Sequence, residues 1–501
     1  MAAQDDGRRQ HARAVDGRQE ALPQPPADGC RARHDGDRPS ARQRQAVGQD
    51  QRRAGLDPRG QQGDQQHHPL GRRRALQDPP ALREGLVTAP APAQPPSHSP
   101  LAPLANRAFL ALWIANLLSN TGGWMQSTGA AWEMTSLTPE PIFVALLAAA
   151  GTLPMFLFCF PAGVLADRFD RRRYIIGCQF WMMAVAAALA VLAFTGRLDH
   201  LSLLALSFCM GLGNAMNGPA WHAIVPDVVG GALLRPAIAL NSAGFNLART
   251  VGPVVGQLLL GLVGVFLLFA INACTYIGVI LAMMSWRRPA DAHRSQSREG
   301  FVAAARGGIA FVAQSAELKA VFARGICFFA PGIAISTLLP VIGRFELGLD
   351  EFAFGILYAV FGVGAVAAAL LMPLINRLLG IDRANIWAMG VHAAATLIAA
   401  LVMTPVVVGA CVVLSGACWI IVIANNGAAV QMILPNVMRA RGMAVHQMVF
   451  FGSMVVGSLL WGKVATLAGT QAALIVAAAS LVPLTVLAAA IRLPRSSQPR
   501  A

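Results

Sequence analysis

Between residues 109 and 491 the chain carries twelve apolar stretches, each long enough to cross about 30 Å of hydrocarbon at about 1.5 Å per residue. They fall near 109–134, 141–165, 174–195, 201–223, 236–261, 263–286, 320–343, 352–375, 384–404, 406–430, 442–466 and 471–491. Lipid offers no partner to a free backbone N–H or C=O, so the pattern predicts a bundle of membrane-spanning helices. The tenth stretch is split from the ninth only by "MTPVV", a very short turn. The bulk numbers agree. Only 13% of residues are charged, against about 25% in an ordinary soluble domain, and mean hydropathy is +0.52.

Charge fixes an orientation. With the N-terminus in the cytoplasm, the inner loops collect fifteen Arg and Lys, whereas the outer loops collect only Arg197 and Arg344. That asymmetry places both termini in the cytoplasm. The longest internal connection divides the spans six and six. The domain reading is therefore 1–98 as an N-terminal arm, 99–286 and 320–493 as six-helix bundles, 287–319 as a cytoplasmic linker, and 494–501 as a tail. In the linker, Phe301, Val302, Ala305, Ile309 and Val312 recur at near-helical spacing, which fits a helix lying on the membrane surface or a covered linker helix. The arm holds sixteen Arg and twelve acids with no sustained apolar run, the composition of a disordered segment. A competing reading is that the arm is not translated and the chain starts near Val87 or later. A basic stretch such as "GRRRALQDPPALR" could bind nucleic acid or anionic lipid, but interleaved Asp and scattered Arg weaken that reading, and no nucleic-acid partner is expected. No CxxC and no metal-ligand spacing occurs, so neither a metal nor another cofactor is expected.

The two bundles repeat one another. At an offset of 209 residues, "NGPAWHAIVPDV" (217–228) aligns with "NGAAVQMILPNV" (426–437), and Leu165, Asp167 and Arg168 fall on Leu374, Asn376 and Arg377. Parallel halves of this kind enclose a substrate path between them. Both Asp167 and Asp227 become Asn in the second half. The loop "GVLADRFDRRR" (163–173) is charged at every position from 167 to 173 except Phe169. Asp167, Asp227 and the arginines of this loop thus read as one electrostatic latch, with Arg171 or Arg172 able to reach Asp227. Positive-inside topology alone explains the arginines but not Asp167.

These residues resemble the major facilitator superfamily. "GVLADRFDRRR" matches its signature loop between helices two and three at Gly163, Leu165, Asp167, Arg168, Arg171 and Arg172, with Asp170 where glycine is usual. "ARTVGPVVGQ" is similar to the helix-five antiporter signature at Gly252, Pro253 and Gly256, with Ala248 and Gln257 in place of its outer glycines. Gly252 and Gly256 form a GxxxG ridge, and Pro253 reads as a hinge. "NRAFLALWIANLLSNTGGWMQSTGAAWEMTSLT" and "PAWHAIVPDVV" are similar to the drug and siderophore exporter branch. The resemblance implies an all-α membrane protein of twelve helices in two pseudo-symmetric bundles. It implies a monomeric exporter of a small amphipathic molecule, working by proton antiport in a bacterial inner membrane. An importer or facilitator of the same fold, and a membrane scaffold or sensor, are the competing functions; an enzyme is not expected.

Charge inside a span is costly and marks function by default. Arg249 is the candidate contact for an anionic or polar substrate. Glu133, the one carboxylate placed within a span, is the candidate proton carrier. Arg324 and Lys463 lie near span ends and are expected to snorkel. Asn116, Asn120, Trp124, Gln126, Asn246, Asn425, Asn426 and Gln431 are candidate pathway residues, with Phe328 and Phe329 as apolar walls. His392 and His446 are expected to pack.

Overall fold

The computed structural model describes residues 99–286, 301–435 and 438–491, and within these the side chains of Cys159, Asp167, 301–305, Arg439 and Ala440 lie outside the description. The expectations for the arm 1–98, for 287–300 of the linker and for the tail therefore fall outside the described residues. What is described is helical: α1 Arg107–Leu137, α2 Pro141–Arg168, α3 Arg171–Phe194, α4 His200–Val229, α5 Leu234–Ser285, α6 Phe301–Gln314, α7 Ala316–Val341, α8 Glu351–Leu401, α9 Pro405–Ile433, α10 Arg439–Ala468 and α11 Thr470–Ala490.

Two of these are double spans. Helical dihedrals fail at Gly264 (φ 76°) in α5 and at Gly380 (φ 74°) in α8, a left-handed conformation that glycine adopts without a Cβ clash. Nine helices among the described residues are long and apolar enough to cross a membrane. Counting the two arms of α5 and of α8, and adding the more polar α1, gives twelve crossings. The break inside α8 replaces the eight-residue loop that the hydropathy pattern suggests between spans eight and nine. Pro253 leaves the dihedrals helical, so the backbone of α5 turns at Gly264 rather than there.

Starts are set by side chains that satisfy the orphan N–H groups of a first turn. Asn106 accepts from Ala108 and Phe109 of α1, Asp170 from Arg173 of α3 (3.0 Å), and Asp350 from Ala353 of α8 (2.8 Å). Asp199 and Ser202 form a reciprocal capping box on α4, and its hydrogen bonds to Ser202 hold the Asp199 carboxyl below its ordinary range. Pro141 and Pro405 open α2 and α9, where a missing N–H costs nothing. The short helix α6 occupies the second half of the linker. Val312 is buried on the bundle and Gly308 lies against Arg441 and Val445 of α10, while Ile309 is exposed.

The halves meet unevenly. One buried apolar cluster runs without interruption from Trp132, Met134 and Leu268 of the first half to Ile335, Phe354 and Trp461 of the second. At the opposite end each half has its own cluster. The first contains Leu112, Ile175, Trp221 and Met283; the second contains Val321, Phe322, Val430 and Leu434, with Phe160 of α2 touching it. Leu112 and Val321, and Trp221 and Val430, are 209 residues apart, so these two clusters are the repeat in space. Two seams join the halves. α2 meets α10 where Gly462 faces Ala145 and Gly452 faces Phe156, and α5 meets α8 where Gly355 faces Gln257 and Gly362 faces Thr250.

Candidate functional site

The residues read from the sequence as a latch sit where α2 ends and α3 begins. Arg171 extends to α4, bonding Asp227 at 3.3 Å and the Ala223 carbonyl at 3.0 Å. Arg172 does not go to Asp227; it donates to the carbonyls of Met283 (2.7 Å) and Met284 (2.6 Å) at the C-terminus of α5, where a cation complements the helix dipole. One loop thus ties α4 and α5 to α3. Arg168 is exposed, and Asp167 has its side chain outside the described residues. A Cβ on Gly163 would meet nothing within 4 Å, so no steric need holds glycine there.

The second half fills the equivalent place differently. Asn376 and Asn425 bond one another (2.9 Å), and Asn425 also donates to Asn385 at 3.1 Å. Asn425, read from sequence as a pathway residue, is a tie between helices instead. Beside this network Arg324 of α7 is 4% exposed and bonds Asp382 at 2.7 Å. The expected snorkelling of Arg324 is corrected: with a carboxylate in reach, the cheaper arrangement is a buried pair. Phe328 and Phe329 are also corrected, from cavity walls to core, where they pack on one another, on Trp419 and, for Phe329, on Phe450.

At the opposite end a clasp crosses between halves. Trp132 of α1 is 2% exposed, donates its indole N–H to Glu351 (3.3 Å) and stacks on Phe354 at 4.6 Å. Arg344, in the π-turn after α7, lies 4.9 Å above the Trp132 ring and donates to Thr135 (3.0 Å) and to Ser136. Glu133 is half-buried and within electrostatic reach of both Arg344 and Glu351. Glu133 of the first half therefore lies near one guanidinium and one carboxylate of the second. The sequence pointed to Glu133 alone; Trp132, Arg344 and Glu351 were legible only as one aromatic among many and as loop charges.

The remaining candidates are spread over both halves. Gly252 and Gly256 of α5 pack on α1, where an added Cβ would come within 2.6 Å of Trp124 and 2.8 Å of Met125. Trp124 meets Phe245 edge-on at 6.2 Å. Arg249, half-buried, has Tyr358 of α8 as its electrostatic neighbour. Asn120 and Asn246 bond carbonyls of their own helices, and Asn116 is half-buried. Gln126 accepts from Asn272 at 2.5 Å and is buried, so it bridges α1 and α5. Asn426 is buried beside His446 around a small cavity in the second half, and Gln431 is exposed. His392 is buried with its Nε2 on the Gly332 carbonyl at 3.0 Å.

The family model described as transmembrane secretion effector matches residues 98–500, nearly all of the region that carries these features. The chain belongs to that branch of the major facilitator superfamily. It is 23% identical over 265 residues to the staphyloferrin A transporter of Staphylococcus aureus, 52% of this chain and 65% of that protein. It is 25% identical over 273 residues to the macrolide efflux protein A of Streptococcus pyogenes, 54% of this chain and 67% of that protein. To the enterobactin exporter of Shigella boydii it is 24% identical over 264 residues, 52% and 62% of the two chains. The matched region thus spans about two-thirds of these curated relatives. Among solved structures it resembles that of the nucleoside transporter NupG, with a TM-score of 0.62 at 13% identity, covering 77% of this chain and 98% of that one. In this family member, Asp170 in place of the usual signature glycine is explained by its cap on α3. The family is one of transporters, not enzymes, as expected.

Proposed function

We propose that this protein exports a small amphipathic molecule, drug-like or siderophore-like, across a bacterial inner membrane in exchange for protons, as a monomer with both termini cytoplasmic. The observation that carries the reading is the uneven meeting of the halves. One end is fused by a shared core and the clasp, the other has a separate core in each half, and this is one member of an alternating pair. In the orientation set by the arginines, the clasp is the periplasmic gate and the latch lies at the cytoplasmic rim. Glu133, beside Arg344 and Glu351 at the gate, is the group we assign to carry the proton, because protonation would change the charge balance of contacts that exist only when the gate is shut. The export relatives support the direction.

Inside-out vesicles test this, with and without an imposed proton gradient. Gradient-driven accumulation of a dye, antibiotic or iron chelator is expected; equal flux in both conditions, or none in any, overturns it. The latch gives a second prediction. Hydrogen bonds to charged groups at this half-buried site are worth about 1–3 kcal/mol, enough to bias nearly balanced conformers. Asp227→Asn and Asp167→Asn are each expected to slow transport about tenfold, which is about 1.4 kcal/mol in the barrier, while membrane insertion and yield stay unchanged. Normal transport by both variants ends the latch reading.

A further inference from the structure

Four arginines among the described residues are met by acceptors or by a counter-charge. Arg324 bonds Asp382, Arg171 bonds Asp227, Arg172 holds two carbonyls at a helix end, and Arg344 has Thr135 and Ser136 as acceptors and Glu133 within electrostatic reach. Arg249 differs. It lies midway along the first arm of α5, half-buried, with no acidic group among its described neighbours; the phenol of Tyr358 is the group it faces electrostatically. A guanidinium at that depth is costly unless an anion meets it.

The surroundings are those of a site shared between halves. Arg249 belongs to the first half and Tyr358 to the second, on two helices that touch directly where Gly362 would bring a Cβ within 2.9 Å of Thr250. One turn from Arg249, Phe245 meets Trp124 of α1 edge-on, giving an aromatic wall. Pro253 lacks the N–H that would bond the Arg249 carbonyl, so the backbone there retains an unfilled acceptor.

We propose that Arg249 and Tyr358 form a two-donor clamp for the anionic head of the substrate, a carboxylate or an equivalent oxyanion, with the aromatic or apolar body of the molecule against Trp124 and Phe245. This rests on the reading of the protein as a small-molecule carrier and narrows it to organic anions. A guanidinium offers a planar fork to a carboxylate, and the phenol adds a third donor. The same positive charge rejects a cationic amphiphile. Because the two donors sit on opposite halves, the bound head bridges the α5–α8 seam, and occupancy is linked to how the halves are arranged.

The experiment uses the full chain in lipid nanodiscs and three probes of one shape: 2-naphthoate, its neutral amide 2-naphthamide, and the cation 2-naphthylmethylammonium. Equilibrium binding is expected to favour naphthoate over naphthamide by at least about tenfold, the worth of one charge-assisted contact of about 1.4 kcal/mol, and to disfavour the cation. Arg249→Gln is expected to abolish the preference, Arg249→Lys to keep most of it, and Tyr358→Phe to weaken naphthoate several-fold without affecting naphthamide. Elution as a single monodisperse species shows that each variant is folded. Equal binding of naphthoate and naphthamide, no binding of either, or an unchanged ratio in Arg249→Gln overturns the clamp. The carrier reading is judged separately: gradient-driven flux of a cationic dye that survives Arg249→Gln leaves the exporter standing without its anion site, whereas anion-selective binding without any flux leaves the site and removes the exporter.

Discussion

Asp382→Ala is expected to destabilise the protein by about 3–5 kcal/mol, more than any other single loss of charge in the second half. It strands the guanidinium of Arg324 inside the bundle with no counter-charge. The pair is lopsided: the Arg324 side chain is 4% exposed and the Asp382 side chain 30%. Removing the arginine is therefore the milder change, because Arg324→Met fills the buried space with apolar atoms and leaves a carboxylate that already touches solvent. That substitution should cost about 1–2 kcal/mol. The double variant should recover most of the loss seen in Asp382→Ala, since neither charge remains to be stranded. Thermal unfolding of the purified protein in detergent, following the midpoint for the three variants, checks the order. If Arg324 instead reached water along the membrane edge, Asp382→Ala would be nearly neutral and the double variant no better than Arg324→Met.

That pair also shows where sequence reading stops. The spans were legible because the cost of bare backbone in lipid forces long apolar runs, and the described helices occupy the predicted stretches. The repeat was legible because a duplicated unit keeps its packing residues, as the matched clusters around Trp221 and Val430 show. Arg324 was misjudged because depth along a span was read without its partner. Asp382 lies 58 residues away, and the repeat gives no hint of it, since its counterpart in the first half is Arg173. The second half carries Gly380 and Asn436 at the repeat positions of Arg171 and Asp227, so it cannot form the same ion pair, and the carboxylate that meets Arg324 is Asp382 of α8. A register comparison sees only the lost acids. Gln126 and Asn425 looked like cavity groups by residue type, yet each bonds a partner on another helix, as most intramembrane amides do. Arg249 and Glu133 stood out in the sequence as charges within spans, but their neighbours Tyr358 and Glu351 come from the other half and have no sequence signal.

Trp132→Ala is expected to open the clasped end without unfolding the protein. Truncating a buried tryptophan costs about 3–5 kcal/mol when it leaves a cavity. Here the lost contacts are those between halves: the hydrogen bond to Glu351, the stack on Phe354, and the face beneath Arg344. They exist only while this end is closed, so the penalty falls on one conformer and not on the fold. At about 1.4 kcal/mol per tenfold change in an equilibrium, a 3 kcal/mol penalty raises the open-to-closed ratio by about a hundredfold. Trp132→Phe keeps the stack and loses the indole N–H, and should shift the ratio by roughly tenfold at most. Spin labels at Glu140 and Glu346, both exposed and on opposite halves, report the separation by double electron–electron resonance. The alanine variant should add a longer distance that dominates the distribution, with its unfolding midpoint close to that of the parent. A lowered midpoint with an unchanged distance distribution would mean that Trp132 is ordinary core within one half, and that the gate is held shut by something other than this ring.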